Sequence, residues 1–332
     1  MNPFVNKKIL ITGGTGSFGK EMINYLIKKR FGQIIIYSRD EMKQWLLKES
    51  LNNRKDIKFI IGDVRDESRI SDSFRGIDYV IHAAATKIVP TAEKNPEECI
   101  KTNILGALNV IKASIENKVK KVIALSTDKA SSPINLYGAT KLCSDKLFIS
   151  KYYENLQTKF SVVRYGNVLG SRGSILPFFL SIKEKNIFPL THQDMTRFFL
   201  SLEEAVSFVS FCLNEMKGGE IFIKKLPSIL IKDLIKVINP KPKIKIIGLR
   251  EGEKIHEQMI GIDDALYTAE FKNHFEILPD FKLKLKKIKL FKGKPVNKDF
   301  FYSSNNTKKI NLEYLKDEIL KIDKKLQSGN SF

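Results

Sequence analysis

Lys8-Ile9-Leu10-Ile11-Thr12-Gly13-Gly14-Thr15-Gly16-Ser17-Phe18-Gly19-Lys20 is a short apolar run that breaks into glycines and resumes with helical spacing. The glycines fit both Gly-x-Gly-x-x-Gly from Gly14 and Gly-x-x-Gly-x-x-Gly from Gly13. Such a turn lets the backbone approach a pyrophosphate. A helix starting directly after it points free N–H groups and a positive dipole end at the phosphates. A glycine motif alone is weak, because flexible turns also collect glycine. Here strand, turn and helix agree. Gly13, Thr15, Gly16, Ser17, Phe18 and Gly19 are therefore expected to cradle a dinucleotide.

Outward from this turn, the chain up to Tyr165 alternates β-rich runs with helical patterns. The strand candidates are Lys8–Thr12, Gln33–Ser38, Ile57–Ile61, Asp78–His82, Lys121–Ser126 and Phe160–Tyr165. Lys20–Lys29 and Asp40–Leu51 read as amphipathic helices. Alternation at this spacing predicts an α/β fold, a Rossmann-type doubly wound parallel sheet. Near-continuous runs such as Ile34-Ile35-Ile36 suit strands buried on both faces. From Asn167 the alternation becomes irregular and prolines punctuate longer loops, which predicts a smaller mixed α/β substrate-binding domain. The expected boundaries are 1–166 for the nucleotide-binding domain, with 196–220 returning to it. Residues 167–195 and 221–280 form the substrate-binding part, and 281–332 a basic extension. Asn311–Gln327 reads as a terminal helix with Leu312, Leu315, Ile319 and Ile322 on one face.

The 332 residues suit about two domains, and 42% hydrophobic content is enough for a full core. A net charge of +20 first suggests nucleic acid. Only ten of the 57 basic residues are arginine, the residue that reads and stacks on bases, and the lysines are spread along the chain. A solvated basic surface that helps attract an anionic small substrate is the better reading, with no nucleic-acid partner. The chain has no apolar run long enough for a membrane span. Cys99, Cys143 and Cys212 form neither a metal-ligand spacing nor a disulfide framework, which suits a reducing cytoplasm. His192, His256 and His274 lack metal spacing, so no metal is expected, and His82 is read as structural. Phe178-Phe179 and Phe198-Phe199 read as core or subunit contacts.

The end of the second strand selects the cofactor. It reads Tyr37-Ser38-Arg39-Asp40-Glu41-Met42-Lys43, where a protein binding NAD usually places an acidic side chain against the ribose. Arg39 and Lys43 lie one helical turn apart and suit a 2′-phosphate, with Asp40 as a helix cap; the expected cofactor is NADP. Asp63 and Val64 follow the third strand and suit an adenine. Ala83 and Ala84 follow the fourth and are small enough to admit a nicotinamide ribose.

The fifth strand ends in Ser126-Thr127-Asp128-Lys129, and Tyr137-Gly138-Ala139-Thr140-Lys141 opens a later helix. Tyr137 and Lys141, at i and i+4, share one face. Lys141 is then placed to lower the pKa of the Tyr137 phenol, helped by a positive nicotinamide, so that the phenol can act as a base. Thr127 can hydrogen-bond the same substrate hydroxyl. Tyr-x-x-x-Lys arises by chance in many helices; its place after a dinucleotide fold and a strand-end threonine is what gives it weight.

With Arg164-Tyr165-Gly166-Asn167-Val168, these motifs resemble the extended short-chain dehydrogenase/reductases acting on nucleotide sugars. The Arg39 and Asp128-Lys129 segments and Gly170-Ser171-Arg172-Gly173-Ser174 sharpen the resemblance to the inverting 4,6-dehydratases of UDP-N-acetylglucosamine, which start pseudaminic acid biosynthesis. It runs from about residue 5 to about residue 280. It implies a lyase with internal NADP redox, whose product is the C5-inverted β-L-arabino 4-keto-6-deoxy sugar. Asp128 would be the acid that protonates the C6 hydroxyl. Lys129, held neutral by desolvation and nearby cations, would be the base at C5, where retaining dehydratases typically carry Asp-Glu. The resemblance also assigns Lys87 to cofactor and substrate, although the family usually has Met-Lys-His-Val-Pro where this chain has Thr86-Lys87-Ile88-Val89-Pro90. It further assigns Asn167, Arg172, Gly173, Ser174, Arg197, Arg250 and Glu253 to substrate, and implies a homo-oligomer. The rivals are a nucleotide-sugar 4-epimerase, a non-catalytic NADP-binding sensor, and a basic interaction module acting through Lys282–Lys298.

The cofactor expectation is testable. Arg39→Asp should lower the ratio of NADP to NAD affinity about tenfold or more, the worth of one charge-assisted contact. An unchanged ratio in a binding titration would remove Arg39 from the 2′-phosphate site.

Overall fold

Strand β1 (Lys8–Thr12) lies inside a large sheet, paired in parallel with β2 (Gln33–Ser38) on one side and β4 (Tyr79–His82) on the other. The computed structural model describes residues 4–150, 156–279 and 293–327. With β3 (Ile57–Ile61), β5 (Lys121–Leu125) and β6 (Lys159–Arg164), the parallel order is β3-β2-β1-β4-β5-β6. This is the Rossmann order, and its crevice opens where the order reverses beside β1. The sheet continues past β6 with Ile221–Lys224, parallel, and then with His274–Ile277, Thr268–Glu270 and Lys294–Pro295, antiparallel, ten strands among the described residues.

Strand sequence and burial agree. Ile9, Leu10, Ile11, Ile34, Ile36, Val80 and Ile81 are fully buried, as helices covering both faces require. The expected strand limits hold to within one residue. Helix Ser17–Ile27 starts directly at the glycine turn, earlier than its apolar spacing indicated. Its Gly19 sits so close to the turn that a Cβ there would lie 2.3 Å from the Gly14 carbonyl oxygen. Only glycine lets strand and helix approach this closely. Asp40 caps helix Glu41–Ser50 by accepting from the Lys43 amide.

A second apolar cluster, with Leu176, Phe179, Phe188, Phe199, Leu234 and Ile235, lies beyond the large sheet. Helix Leu312–Gln327 closes it with Leu315, Ile319 and Ile322; Leu312, expected on the same face, is exposed. Two boundary expectations need correction. Ile221–Lys224 pairs with β6 in the large sheet and not with the substrate-binding part. Thr196–Leu200 does not return to that sheet; it pairs with Asn167–Val168 and Ser228–Leu230 in a small sheet of its own, while helix Leu202–Glu215 packs on the nucleotide-binding half. Of the basic stretch Lys282–Lys298, residues 282–292 lie outside the described residues.

One buried ion pair joins these parts. The Arg164 guanidinium lies 3.1 Å from Asp145 Oδ2 and donates to the Met259 carbonyl at 2.8 Å, with both charged side chains nearly inaccessible. Ser126 donates to the same carboxylate oxygen at 2.7 Å. Removing one partner of such a pair leaves an uncompensated buried charge. Asp145→Ala should therefore cost about 3–5 kcal/mol in urea unfolding; a loss below about 1 kcal/mol would contradict the pair's structural role.

Candidate active site

The carboxyl ends of the parallel strands open into a cavity of about 750 Å³, within the range of small-molecule sites. Every residue assigned above to catalysis, cofactor or substrate lines it.

At one end is the glycine turn. The first turn of helix Ser17–Ile27 has no side-chain cap, so its amides are available to an anion. The Arg172 amide donates to Ser17 Oγ at 3.2 Å, which lays the Gly170–Ser174 loop across the cradle. Toward β2 the two cations are already engaged. Arg39 lies 3.5 Å from Asp63, and Lys43 pairs with Asp40. Asp63 also receives Arg65, and although burial opposes it, these contacts keep its carboxyl below the usual range. The chain thus has both an acidic group and two cations at the ribose end.

The residues expected to be catalytic meet at the ends of β5 and β6. Thr127 caps the short turn Asp128–Ala130 and donates to Asp128 Oδ1 at 3.0 Å. The Asp128 amide donates to the Tyr165 carbonyl, fixing the turn against the chain after β6. Helix Leu136–Phe148 is capped by Asn135, which accepts from the Gly138 amide and donates to the Gly252 carbonyl. A Cβ on Gly138 would lie 2.2 Å from the Lys129 carbonyl oxygen. Glycine after Tyr137 therefore lets the helix press directly onto the Asp128-Lys129 turn.

One electrostatic expectation is corrected. Lys129 is not held neutral. Burial would lower the pKa of its ammonium, but Asp128 at 3.1 Å and Glu257 at 3.0 Å outweigh burial and raise it above the ordinary lysine value. For Tyr137 the leading effect is burial. Burial pushes the phenol up to about 12; Lys129 and a Thr127 hydrogen bond pull it down, and Asp128 and Asp145 raise it. Burial lowers Lys141 itself, against Asp145 and Cys99. Burial also raises the Asp128 carboxyl, despite Lys129. His82 is a core group: it shares a 2.8 Å hydrogen bond with Thr12, and burial lowers it to about 3.

The opposite wall carries the residues expected to hold substrate. Arg197 uses its guanidinium mainly on backbone, donating to the carbonyls of Thr196, Ile255 and Lys254. Arg250 pairs with Glu253. Burial lowers Lys87, and Arg172 adds to the effect. Two residues escaped the sequence reading. Glu257 completes the charge cluster at Lys129. Asn103 accepts from the Thr86 amide and donates to Thr140 Oγ1 at 3.0 Å, tying the Lys87 loop to the catalytic helix. Neither stands in a motif, and no local pattern marks them.

Asp128 Oδ2, Glu257 Oε2, Asn167 Oδ1 and Ser174 Oγ are buried at this cavity with no hydrogen-bond partner among the described residues. Buried polar atoms are normally satisfied, so this group is matched to a polar ligand.

A family model described as polysaccharide biosynthesis protein matches residues 9–279. A Campylobacter jejuni protein named UDP-N-acetylglucosamine 4,6-dehydratase (inverting) is 52% identical over 314 residues, 91% of this chain and 94% of that protein. A Rickettsia bellii protein named UDP-glucose 4-epimerase is 44% identical over 332 residues, 96% of this chain and 97% of its own length. The X-ray structure of Pen from Bacillus thuringiensis superposes with a TM-score of 0.87 at 38% identity, covering 96% of this chain and 98% of that one. A dTDP-glucose 4,6-dehydratase from Streptomyces venezuelae, solved with NAD, shares the fold at a TM-score of 0.67 and 18% identity over 75% of this chain and 86% of its own. The family match begins in β1 and runs on past the strand His274–Ile277: the chain belongs to the polysaccharide biosynthesis protein family, enzymes of the extended short-chain dehydrogenase/reductase type.

Proposed function

We propose that this protein is an NADP-dependent UDP-N-acetylglucosamine 4,6-dehydratase that inverts C5, giving the β-L-arabino 4-keto-6-deoxy sugar, the first step of pseudaminic acid biosynthesis. The observation that carries the reading is the Asp128–Lys129 pair beside Tyr137 at the end of β5. The similarity to the Campylobacter jejuni protein over nearly the whole chain supports it. The uncapped helix end and the close-fitting glycine turn suit a dinucleotide pyrophosphate, and Arg39 and Lys43 favour a 2′-phosphate. A nicotinamide cofactor, when bound, would supply the oxidation at C4 and the reduction at C6, and its oxidised form would add the positive charge that helps Tyr137 act as a base. The sugar is bound in the part built on the second apolar cluster, residues 167–195 with most of 225–265.

The chain's own groups then divide the work. Tyr137, after losing its own proton to solvent as neighbouring positive charge offsets its burial, takes the C4 hydroxyl proton as a phenolate, with Thr127 and Lys141 orienting hydroxyl and ribose. Oxidation at C4 acidifies the C5 proton, because the carbanion is delocalised into the ketone. Lys129, once it has passed its extra proton to Asp128, takes the C5 proton while Asp128, raised by its burial, gives the proton it received to the departing C6 hydroxyl. Reprotonation of C5 from the face opposite Lys129 gives inversion. The similarity to a Rickettsia bellii protein named as an epimerase supports a second reading, a nucleotide-sugar 4-epimerase. That reaction retains water and needs no acid–base pair at Asp128-Lys129.

Incubation with UDP-N-acetylglucosamine in D2O, followed by NMR, separates the two. The dehydratase should yield a 4-keto-6-deoxy sugar with one deuterium at C5, early coupling constants of the L-arabino form, and no net NADPH. Deuterium placed at C4 of the substrate should reappear at C6. A C4 epimer that keeps its C6 hydroxyl would overturn the reading. An early D-xylo product would overturn the inversion.

Variants should divide the steps in the same way. Tyr137→Phe should lower C4 oxidation by about 10²–10⁴-fold while keeping cofactor affinity. Lys129→Ala should bind NADP normally and lose dehydration. Full dehydration by Lys129→Ala would exclude Lys129 as the base.

A further inference from the structure

Glu257 has no part in the assignments above, yet it is the second carboxylate on Lys129. Its side chain is 3% exposed and its Oε1 lies 3.0 Å from Lys129 Nζ, opposite Asp128 Oδ1 at 3.1 Å. Its other neighbours are cationic: Arg197 Nε lies 3.8 Å away, and Lys254 also acts on it. Its backbone is fixed on both sides by the segment after residue 300. The Glu257 amide donates to Ser304 Oγ at 3.0 Å, and the Glu257 carbonyl accepts from the Ser304 amide at 2.8 Å and from Ser303 Oγ at 3.0 Å. Ser304 Oγ in turn shares a 2.7 Å hydrogen bond with Thr196 Oγ1.

We propose that Glu257 is a positioning residue for the Asp128–Lys129 pair: held by Ser303 and Ser304, it keeps Lys129 between two carboxylates so that the pair retains one shared proton for the elimination. The proposal rests on the dehydratase reading. Elimination needs a neutral amine and a carboxylic acid. The resting site holds an ammonium and a carboxylate, which carry the same number of protons. One transfer from Lys129 Nζ to Asp128 Oδ1 interconverts the two states. The amine then takes the C5 proton, the C5–H electrons form the C5=C6 bond, and the C6–O bond breaks. Asp128 gives its proton to the departing oxygen, which leaves as water. The pair returns to ammonium and carboxylate, ready for the next turnover.

Glu257 acts on both members in the same sense. Its negative charge favours the Lys129 ammonium and disfavours a second carboxylate at Asp128. Both effects keep the proton on the pair. Arg197 opposes Glu257 at both groups, and Lys129 and Arg197 hold the Glu257 carboxyl ionised against its own burial. Tyr137 also faces Lys129 and gains from its charge.

The test uses the full chain with its cofactor, as wild type, Glu257→Gln and Glu257→Asp. Competitive labelling with acetic anhydride, read by mass spectrometry across a pH series, follows the Lys129 amine without substrate. In the wild type Lys129 should become reactive only above the pH at which exposed lysines do. In Glu257→Gln that midpoint should fall by about one pH unit or more, the effect of losing an adjacent opposite charge. The alkaline limb of the dehydration profile should move with it, kcat should fall about tenfold or more with KM nearly unchanged, and Glu257→Asp should recover part of both. An unmoved Lys129 midpoint in Glu257→Gln would overturn the proposal, because a purely structural role would lower activity without shifting the titration. Should Glu257→Gln not fold, a wild-type Lys129 midpoint at or below that of exposed lysines would overturn it. A wild type that makes no dehydrated product would sink the functional reading alone, since the labelling still reports on Glu257.

Discussion

The Arg164–Asp145 ion pair is the joint on which the site depends. Its carboxylate holds Ser126, the residue before Thr127, and stands on the helix that carries Tyr137 and Lys141. Its guanidinium reaches the Met259 carbonyl, two residues after Glu257. One buried charge pair thus fixes, from behind, the end of β5, the helix of Tyr137 and Lys141, and the wall opposite them. A buried ion pair is weak evidence for net stability, because desolvation offsets much of its attraction. It does enforce one arrangement, since any other would strand a charge in the core.

The nucleotide-binding half was legible because its signals are local. The glycine turn, the strand–helix alternation and Asp40 as a cap each sit within a few residues, and each reappears in the structure. The residues at Thr127–Lys129 and Tyr137–Lys141 were legible because a strand end and one helix face bring them together. Glu257 and Asn103 were not, because their roles arise only from contacts between distant segments. The boundary at 221 failed for a related reason. A short strand such as Ile221–Lys224 reads alike whether it extends the large sheet or starts a new one, and only its pairing with β6 decides.

Charge states were the least legible property. The reading that made Lys129 neutral counted burial and nearby cations, both real: burial does lower it, and Arg197 adds to that effect. It could not count a carboxylate arriving from far along the chain. The same principle governs Tyr137, whose burial exceeds the help it receives from Lys129 and Thr127. In both cases the sign follows from a competition between desolvation and neighbours, and the neighbours come from elsewhere in the fold.

The anchoring of Glu257 by Ser303 and Ser304 has a consequence for how the molecule comes into being. The ribosome delivers the glycine turn, its flanking strands, the Arg172 loop and helix Leu202–Glu215 before the segment that follows residue 300. The segment that clamps Glu257 emerges after them. A nascent or stalled chain can therefore fold its nucleotide-binding half while Lys129 still has only one of its two carboxylates held in place. The sequence order of this protein separates, in time, the assembly of its cradle from the arming of its acid–base pair.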